Sequence, residues 1–297
     1  MSAPVLMLLA SFLFSTMGVC VKLASAYYGA GEIVMYRSLV GALFIVGLSR
    51  WRGGSLRTDV PAMHFWRSLT GVCALSLWFY SIGKLPLATS ITLNYMSSVW
   101  MALFLIGGAV MMGAAKVDPR LVATVLTGFA GVALMLQPTL ERDQWQGALA
   151  GLTSGLLAAM AYLQVTALGR VGEPEYRVVF YFSLGGVAAG GLLTAFSGAH
   201  GHTWAGAALL VATGVLATVA QMMMTRAYAI GRALSNASLQ YLGIVFSFVY
   251  GVLVFDDPVT LAALAGMVLI VGAGLAATRL RQRTAPAASP EASSFDP

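Results

Sequence analysis

The chain has 297 residues, of which 59% are hydrophobic and only 9% are charged. A soluble domain carries about 25% charged residues, so this composition excludes a water-soluble globular protein and requires a solvent that is mostly lipid. The net charge of +6 would suit a nucleic acid, but the basic residues lie in short loops between apolar runs, so we exclude that partner.

Ten apolar runs follow one another along the chain, each close to the ~20 residues that a helix needs to cross a bilayer. They lie near residues 3–26, 32–49, 65–83, 87–112, 119–137, 147–168, 176–197, 204–227, 234–254 and 259–279. Helices are expected because lipid offers no partners to backbone N–H and C=O groups. The first run starts almost at Met1 with no basic segment before it, so it is interpreted as a span and not as a cleaved signal. The sequence predicts an all-α polytopic membrane protein of ten spans.

The distribution of Lys and Arg predicts the direction of these spans, because cytoplasmic loops carry the excess of basic residues. With the N-terminus in the cytoplasm, the outer loops hold Lys84 and Arg142 alone. The inner loops and the tail then hold Arg50, Arg52, Arg57, Lys116, Arg120, Arg170, Arg177, Arg232, Arg279, Arg281 and Arg283. Both termini are therefore predicted to be cytoplasmic, in a bacterial inner membrane. Residues 281–297 are rich in Pro, Ala and Ser and are predicted to form a disordered cytoplasmic tail.

The two halves of the chain resemble each other at a nearly constant offset. Matched positions are Ser11 with Ser154, Met17 with Met160, Gly29 with Gly172 and Glu32 with Glu175 at a shift of 143, Tyr80 with Tyr228 at 148, Leu93-Asn94-Tyr95 with Leu239-Gln240-Tyr241 at 146, and Asp118 with Asp257 at 139. Five spans per unit is an odd number, so the second unit would enter the membrane from the opposite side. The sequence thus predicts two inverted repeats, residues 1–138 and 146–280, an architecture typical of alternating-access transporters.

Several short segments carry a likeness to a known family. They are Tyr36-Arg37, Trp78-Phe79-Tyr80-Ser81-Ile82, Leu85-Pro86-Leu87-Ala88, Thr225-Arg226-Ala227-Tyr228, Leu239-Gln240-Tyr241, and Asp256-Asp257-Pro258 leading to Gly266. With them the sequence resembles the drug/metabolite transporter superfamily in its EamA-type branch, over roughly residues 5–137 and 147–278. It is most similar there to the YddG-type exporters of aromatic and other neutral amino acids, although Asp257 stands where the family often has Glu.

The resemblance implies a particular arrangement of the spans. Spans one, three, four, six, eight and nine would line a central cavity, two and seven would be moving walls, and five and ten would be a scaffold. The substrate would be a small metabolite, exported by alternating access.

Polar residues inside several spans recur at helical spacing. A polar side chain within a span raises the free energy unless it faces protein or water. From these stripes and from nearby aromatic residues we predict a substrate pathway lined by Ser11, Ser15, Lys22, Trp78, Tyr80, Asn94, Tyr95, Ser98, Tyr162, Gln221, Gln240 and Tyr241. Amides offer both donors and acceptors to an amino-acid headgroup, and aromatic rings suit apolar side chains. The alternative for each Ser or Thr is helix-to-helix bonding, and for each aromatic residue it is packing.

Cationic residues near span ends have two interpretations. Glu32 and Arg37 are candidates for charge pairing or gating, although their i,i+5 spacing is off the best helical register. Lys22 or Arg37 could steer a carboxylate or hold an outer gate, whereas the simpler alternative is snorkelling of the charged head to water.

Acidic and histidine residues all fall in loops, at span ends or in the tail. We therefore expect export down a gradient without an intramembrane carboxylate relay. No catalytic or metal-binding constellation is evident, so neither an enzyme nor a cofactor is predicted. The alternatives that stay open are efflux of drugs, nucleobases or other neutral metabolites, and a structural membrane protein without transport. A monomer is expected, since no GxxxG dimer face is evident.

Overall fold

The computed structural model describes residues 1–111, 144–231, 239–257 and 259–284, and also positions 120, 123, 126–128, 130, 131, 134 and 236. Ten helices and no strands lie in these ranges. The helices are α1 Ala3–Ala24, α2 Ala30–Arg52, α3 Pro61–Lys84, α4 Leu87–Tyr95, α5 Ser97–Met111, α6 Gln144–Arg170, α7 Glu175–Ser197, α8 Trp204–Ile230, α9 Leu242–Phe255 and α10 Leu261–Thr284. Five of them (α1, α2, α6, α7 and α8) are long and apolar enough to cross a membrane. The chain is a multi-pass membrane protein.

The helix bounds agree with most predicted spans to within a few residues. One prediction needs correction, and another falls outside the described residues. Helix α10 runs to Thr284, so residues 281–284 are helical and do not belong to a disordered tail. The prediction failed there because charged residues ended the apolar run, although Arg is a good helix former. The fifth span, 119–137, lies largely outside the described residues.

The predicted fourth span is two helices and not one. Helix α4 ends at Tyr95 and α5 begins at Ser97, with a turn at Met96 whose N–H is shared between the carbonyls of Thr92 and Leu93, at 3.1 and 3.3 Å. A similar irregularity precedes α9, where Gln240 and Tyr241 form a turn. The two interruptions fall on the Asn94-Tyr95 and Gln240-Tyr241 segments that match in sequence.

The helices before residue 112 pack mainly on helices after residue 143. The most extensive pairs are α3 with α6, α2 with α7 and α1 with α8, followed by α2 with α8, α3 with α7, α1 with α9 and α4 with α6. Small residues allow the closest crossings. At the α2–α7 crossing, a Cβ on Gly190 would lie 2.5 Å from the backbone nitrogen of Met35, so only glycine fits. The two halves of the chain are therefore interleaved and share one interior.

Candidate functional site

A cavity lies in the middle of the bundle, between α1, α2, α3, α4, α6, α7 and α8. Its volume is about 550 Å³, part of which is open to solvent. Six predicted residues line it: Arg37, Trp78, Asn94, Tyr95, Tyr162 and Gln221. Residues that the sequence analysis did not propose also line it: Phe14, Met17, Arg67, Phe182 and Met224. The cavity is narrow and contains both polar and aromatic surface.

The lining differs from the arrangement that the resemblance implied. Helices α2 and α7, expected as moving walls, contribute Arg37 and Phe182 to the lining. No described residue of the predicted ninth span is among the lining residues, although that span was expected to contribute. Gln240 and Tyr241 lie one layer further out, because Met224, Tyr95 and Tyr228 occupy the space in front of them.

Three predicted residues form the polar part of the wall or support it. Asn94 donates from Nδ2 to Ser154 Oγ at 3.0 Å, which fixes the amide at the end of α4. The Tyr162 ring stacks on Tyr228 with centroids 5.2 Å apart. The Nε2 atom of Gln221 is buried and has no protein partner. The wall thus presents a fixed amide, a fixed ring and an unused amide donor.

In this structure Ser11, Ser15 and Ser98 bond helices to one another, the alternative given for each serine, and they are not among the residues that line the cavity. Ser15 Oγ lies 2.9 Å from the carbonyl of Ser11 and 3.0 Å from that of Gly243, and Ser11 Oγ donates to the carbonyl of Leu239 at 3.4 Å. Ser98 pairs with the hydroxyl of Tyr241. Ser11 and Ser15 lie between α1 and α9, and Ser98 lies between α5 and the turn that precedes α9. Serine hydroxyls can donate hydrogen bonds to the backbone carbonyls that are free beside such a turn.

Two other predicted pathway residues lie away from the cavity. Tyr80 donates from its hydroxyl to Gln146 Oε1 at 3.2 Å, at a solvent-exposed end of the bundle. Gln240 is buried behind the lining, with Nε2 3.4 Å from the Tyr228 hydroxyl and 3.7 Å from Met224 Sδ. Neither residue lines the cavity in this structure, although Gln240 contacts the lining residue Met224.

Arg67 is the main residue that sequence reasoning missed. It lies in the second turn of α3, only 3% exposed, and its guanidinium folds back over Gly71 in the next turn. A side chain at position 71 would collide with Arg67 Nη1, so this conformation depends on glycine. Arg67 was not among the predicted residues, and the Arg-x-x-x-Gly spacing was the one signal in the sequence that pointed to it.

Arg37 also faces the cavity and does not pair with Glu32. Its guanidinium carbon lies 5.0 Å from the centre of the Phe182 ring, and that of Arg67 lies 4.5 Å from the same ring. Glu32 instead accepts from the backbone N–H of Gly29 and contacts His200. The pairing prediction is wrong because five helical residues turn the two side chains about 140° apart.

The end of the bundle that contains the start of α2 is tied by an ion pair and by a carboxylate–histidine contact; we call it the Lys22 end. Lys22 Nζ lies 3.1 Å from Asp257 Oδ1, and Asp257 Oδ2 accepts from the backbone N–H of Leu87 at 3.0 Å. Glu32 is buried and lies 2.5 Å from His200 Nδ1. Lys22 was predicted in the pathway, but the structure places it in this tie between α1, α4 and the segment after α9.

The opposite end, which we call the Glu173 end, has a matching cluster that the sequence analysis did not anticipate. Glu173 accepts from Thr58 Oγ1 at 2.9 Å and Arg177 Nη1 at 3.0 Å, and lies 3.1 Å from His64 Nε2. Burial works to raise the pKa of Glu173, but these hydrogen bonds outweigh it and the pKa is lowered. The loop after α2 is thereby held to the loop before α7.

Comparison with known proteins identifies the relatives of this chain. The model of the EamA-like transporter family matches residues 1–137. The pseudopaline exporter CntI of Pseudomonas aeruginosa is 32% identical over 284 residues, which cover 95% of this chain and 97% of the relative. A riboflavin transporter of Rhizobium johnstonii is 30% identical over 182 residues, covering 61% of this chain and 58% of the relative. A protein of known crystal structure, 20% identical, shares the fold with a TM-score of 0.67 over 95% of this chain and 98% of that one.

Proposed function

Since the chain belongs to the EamA-like transporter family, within the drug/metabolite transporter superfamily, we propose that it exports neutral and aromatic amino acids by alternating access. The substrate leaves the cytoplasm through the inner membrane, and both chain termini are cytoplasmic. One chain encloses the whole cavity, so the monomer is the working unit. The observation that carries this proposal is the narrow cavity between the two halves, lined by amides and aromatic rings.

The contacts between helices support two inverted repeats, residues 1–138 and 146–280. Ser154 pairs with Asn94 at the interruption between α4 and α5, and Ser11 donates to Leu239 beside the interruption before α9. Ser11 matches Ser154, and Leu239 falls in the segment that matches Leu93-Asn94. The two matching serines thus bond at matching interruptions of the opposite half, although through different atoms, and this exchange of halves supports a pseudo-twofold axis in the membrane plane.

The two ends of the bundle support alternating access. A buried carboxylate meets a histidine at each end, Glu32 with His200 and Glu173 with His64. Glu32 lies in the first turn of α2, and Glu173 lies two residues before α7, the matching helix of the other half, although the residue that matches Glu32 in sequence is Glu175. Both pairs are formed in this structure, which we take as a state in which neither end is released. Release of one pair at a time would open the cavity to one side of the membrane and then to the other.

The cavity suits an amino-acid headgroup with an apolar or aromatic side chain. Asn94 and Gln221 supply amides, while Trp78, Tyr95 and Tyr162 supply ring surface. Aromatic pairs contribute about 0.5–1.5 kcal/mol beyond the area they bury, so an aromatic substrate would gain affinity from this wall. A flat heteroaromatic metabolite is the second candidate, since the same rings would stack on it and the Rhizobium johnstonii relative is a riboflavin transporter.

Transport by purified protein in liposomes tests the proposal. Radiolabelled phenylalanine should exchange across the membrane, and collapse of the pH gradient should leave the rate unchanged. Tyr95→Leu and Asn94→Ala should lower the rate about tenfold, because the first removes an aromatic ring and the second an amide from the cavity wall. Tyr80→Leu is the matched control, since Tyr80 lies outside the cavity. Normal flux in both cavity variants, or a strict need for the gradient, would contradict the proposal; flux of riboflavin without phenylalanine would favour the second candidate.

A further inference from the structure

The cavity has an excess of unused hydrogen-bond donors. Side-chain atoms without a partner on lining residues are Arg37 Nε, Arg67 Nε, Arg67 Nη1, Trp78 Nε1 and Gln221 Nε2. All five are N–H groups, and none is an acceptor. Among the described lining residues there is no Asp or Glu. A buried donor without a partner is unfavourable, and more so when it is charged.

The two arginines are held close together without an acid between them. Both guanidinium groups lie against the same ring, that of Phe182, whose π electrons attract cations. Arg37 and Arg67 are each 3% exposed, so water cannot fully solvate their charges. Ordinary packing does not account for this arrangement, because two like charges in a low-dielectric interior repel each other.

Gly71 shows that the position of Arg67 is built into α3. The guanidinium lies where the first carbon of any larger side chain would have to be. An arginine at a span end could otherwise extend to water, since its long side chain allows snorkelling. In this protein the side chain folds inward along its own helix to the cavity. The Arg67–Gly71 pair therefore positions a guanidinium next to the space that a substrate would occupy.

We propose that Arg37 and Arg67 form a binding site for a substrate that carries two carboxylates or equivalent acidic groups. This inference rests on the proposed function, export through the same cavity, and adds acidic metabolites to the substrates that the cavity binds. Two carboxylates would accept bidentate, charge-assisted hydrogen bonds from the two guanidinium groups. Trp78 Nε1 and Gln221 Nε2 would satisfy the remaining oxygen atoms. Phe182 holds the two cations in place while the site is empty.

Binding of matched acids and amides to the purified full-length protein tests this site. The probes are L-glutamate against L-glutamine and succinate against succinamide, pairs of similar shape that differ in charge. By titration calorimetry, each acid should bind about tenfold more tightly than its amide, as expected for one charge-assisted bidentate contact. An acid that binds no better than its amide in either pair would overturn the assignment.

Variants assign the preference to particular residues. Arg67→Gln should reduce the acid preference to within about threefold while amide binding stays unchanged, and Arg67→Lys should restore it only in part because lysine lacks the fork. Gly71→Ala keeps both arginines but displaces one guanidinium, so it should also reduce the preference. Arg52→Gln removes an exposed cation at the end of α2 and serves as the control. An unchanged preference in Arg67→Gln and Gly71→Ala would overturn the roles of these residues.

These experiments distinguish failure of the anion site from failure of the proposed function. If liposomes exchange phenylalanine or glutamine while the acids bind no better than the amides, transport stands and the anion site fails. If the acids are preferred and glutamate is exchanged but phenylalanine is not, the anion site stands and the neutral substrate class is wrong.

Discussion

Gly155 in α6 lies directly against the interruption between α4 and α5, and its replacement by alanine tests how tightly that interruption is packed. A Cβ at this position would lie 2.7 Å from the carbonyl oxygen of Leu93 and 2.9 Å from that of Asn94. Both atoms belong to the backbone, so the helices must move apart. Insertion of a methyl group into a packed interior costs about 1–3 kcal/mol.

A second term adds to that cost. Separation of α4 from α6 would also lengthen the hydrogen bond between Asn94 Nδ2 and Ser154 Oγ, now 3.0 Å. Such bonds between membrane helices contribute about 0.6 kcal/mol. The helix propensity of alanine offsets about 1 kcal/mol, so the total for Gly155→Ala is about 1–3 kcal/mol, a decrease in Tm of roughly 2–8 °C for a chain of this order of size.

Thermal unfolding in detergent measures this effect, with Gly47→Ala as the matched control. Gly47 is in the middle of α2 with no atom within 4 Å of a Cβ, so alanine there should be neutral or stabilising through its helix propensity of about 1 kcal/mol. If the Tm of Gly155→Ala equals that of Gly47→Ala, the close packing at this interruption is refuted.

Two further predictions concern the ends of the bundle. Asp257→Asn should weaken the tie to Lys22 by up to about 1 kcal/mol, since the pair is partly exposed. A cysteine introduced at Met17, on the cavity wall, should then react about fivefold faster with a water-soluble maleimide. An unchanged reaction rate would argue against this tie as a gate. Because the pKa of Glu173 is lowered in the folded protein, its ionised form stabilises the fold above its ordinary pKa of 4.5, and this stabilisation is lost as the pH falls through the lowered pKa. The unfolding midpoint of the native protein should therefore decrease more steeply below pH 5 than that of Glu173→Gln, and parallel curves would contradict the role of this carboxylate.

Much of the fold could be predicted because the membrane imposes a simple length rule on apolar segments. The helices α1, α2, α6, α7 and α8 match predicted spans closely, since each contains an apolar run of about 20 residues. The interruptions at Met96 and before Leu242 could not be predicted from local sequence. Neither contains glycine or proline at the turn, so the backbone there is set by contacts with α6 and α1.

The candidate site was less predictable, because periodicity shows which residues share a helix face but not what that face contacts. Asn94 and Gln221 lie at the cavity as expected, whereas Ser11 and Ser15, on an equally regular stripe, bond to the chain around α9. Arg67 was missed because it belongs to none of the polar stripes from which the pathway was predicted. Only the packed structure shows that Gly71 leaves room for its guanidinium.

Opposed orientation of the two halves is the claim on which the proposed mechanism depends, and accessibility of the two matching loops tests it. The loop after α2 and the loop after α7 lie at opposite ends of the α2–α7 pair, since Ser55 contacts the start of α7 and His200 contacts Glu32. In a protein with Cys20 and Cys73 replaced, single cysteines at Ser55 and Gly201 should react with an impermeant thiol reagent from opposite sides. We expect position 201 to react in intact cells and position 55 only after lysis. Reaction of both from the same side would contradict the inverted arrangement.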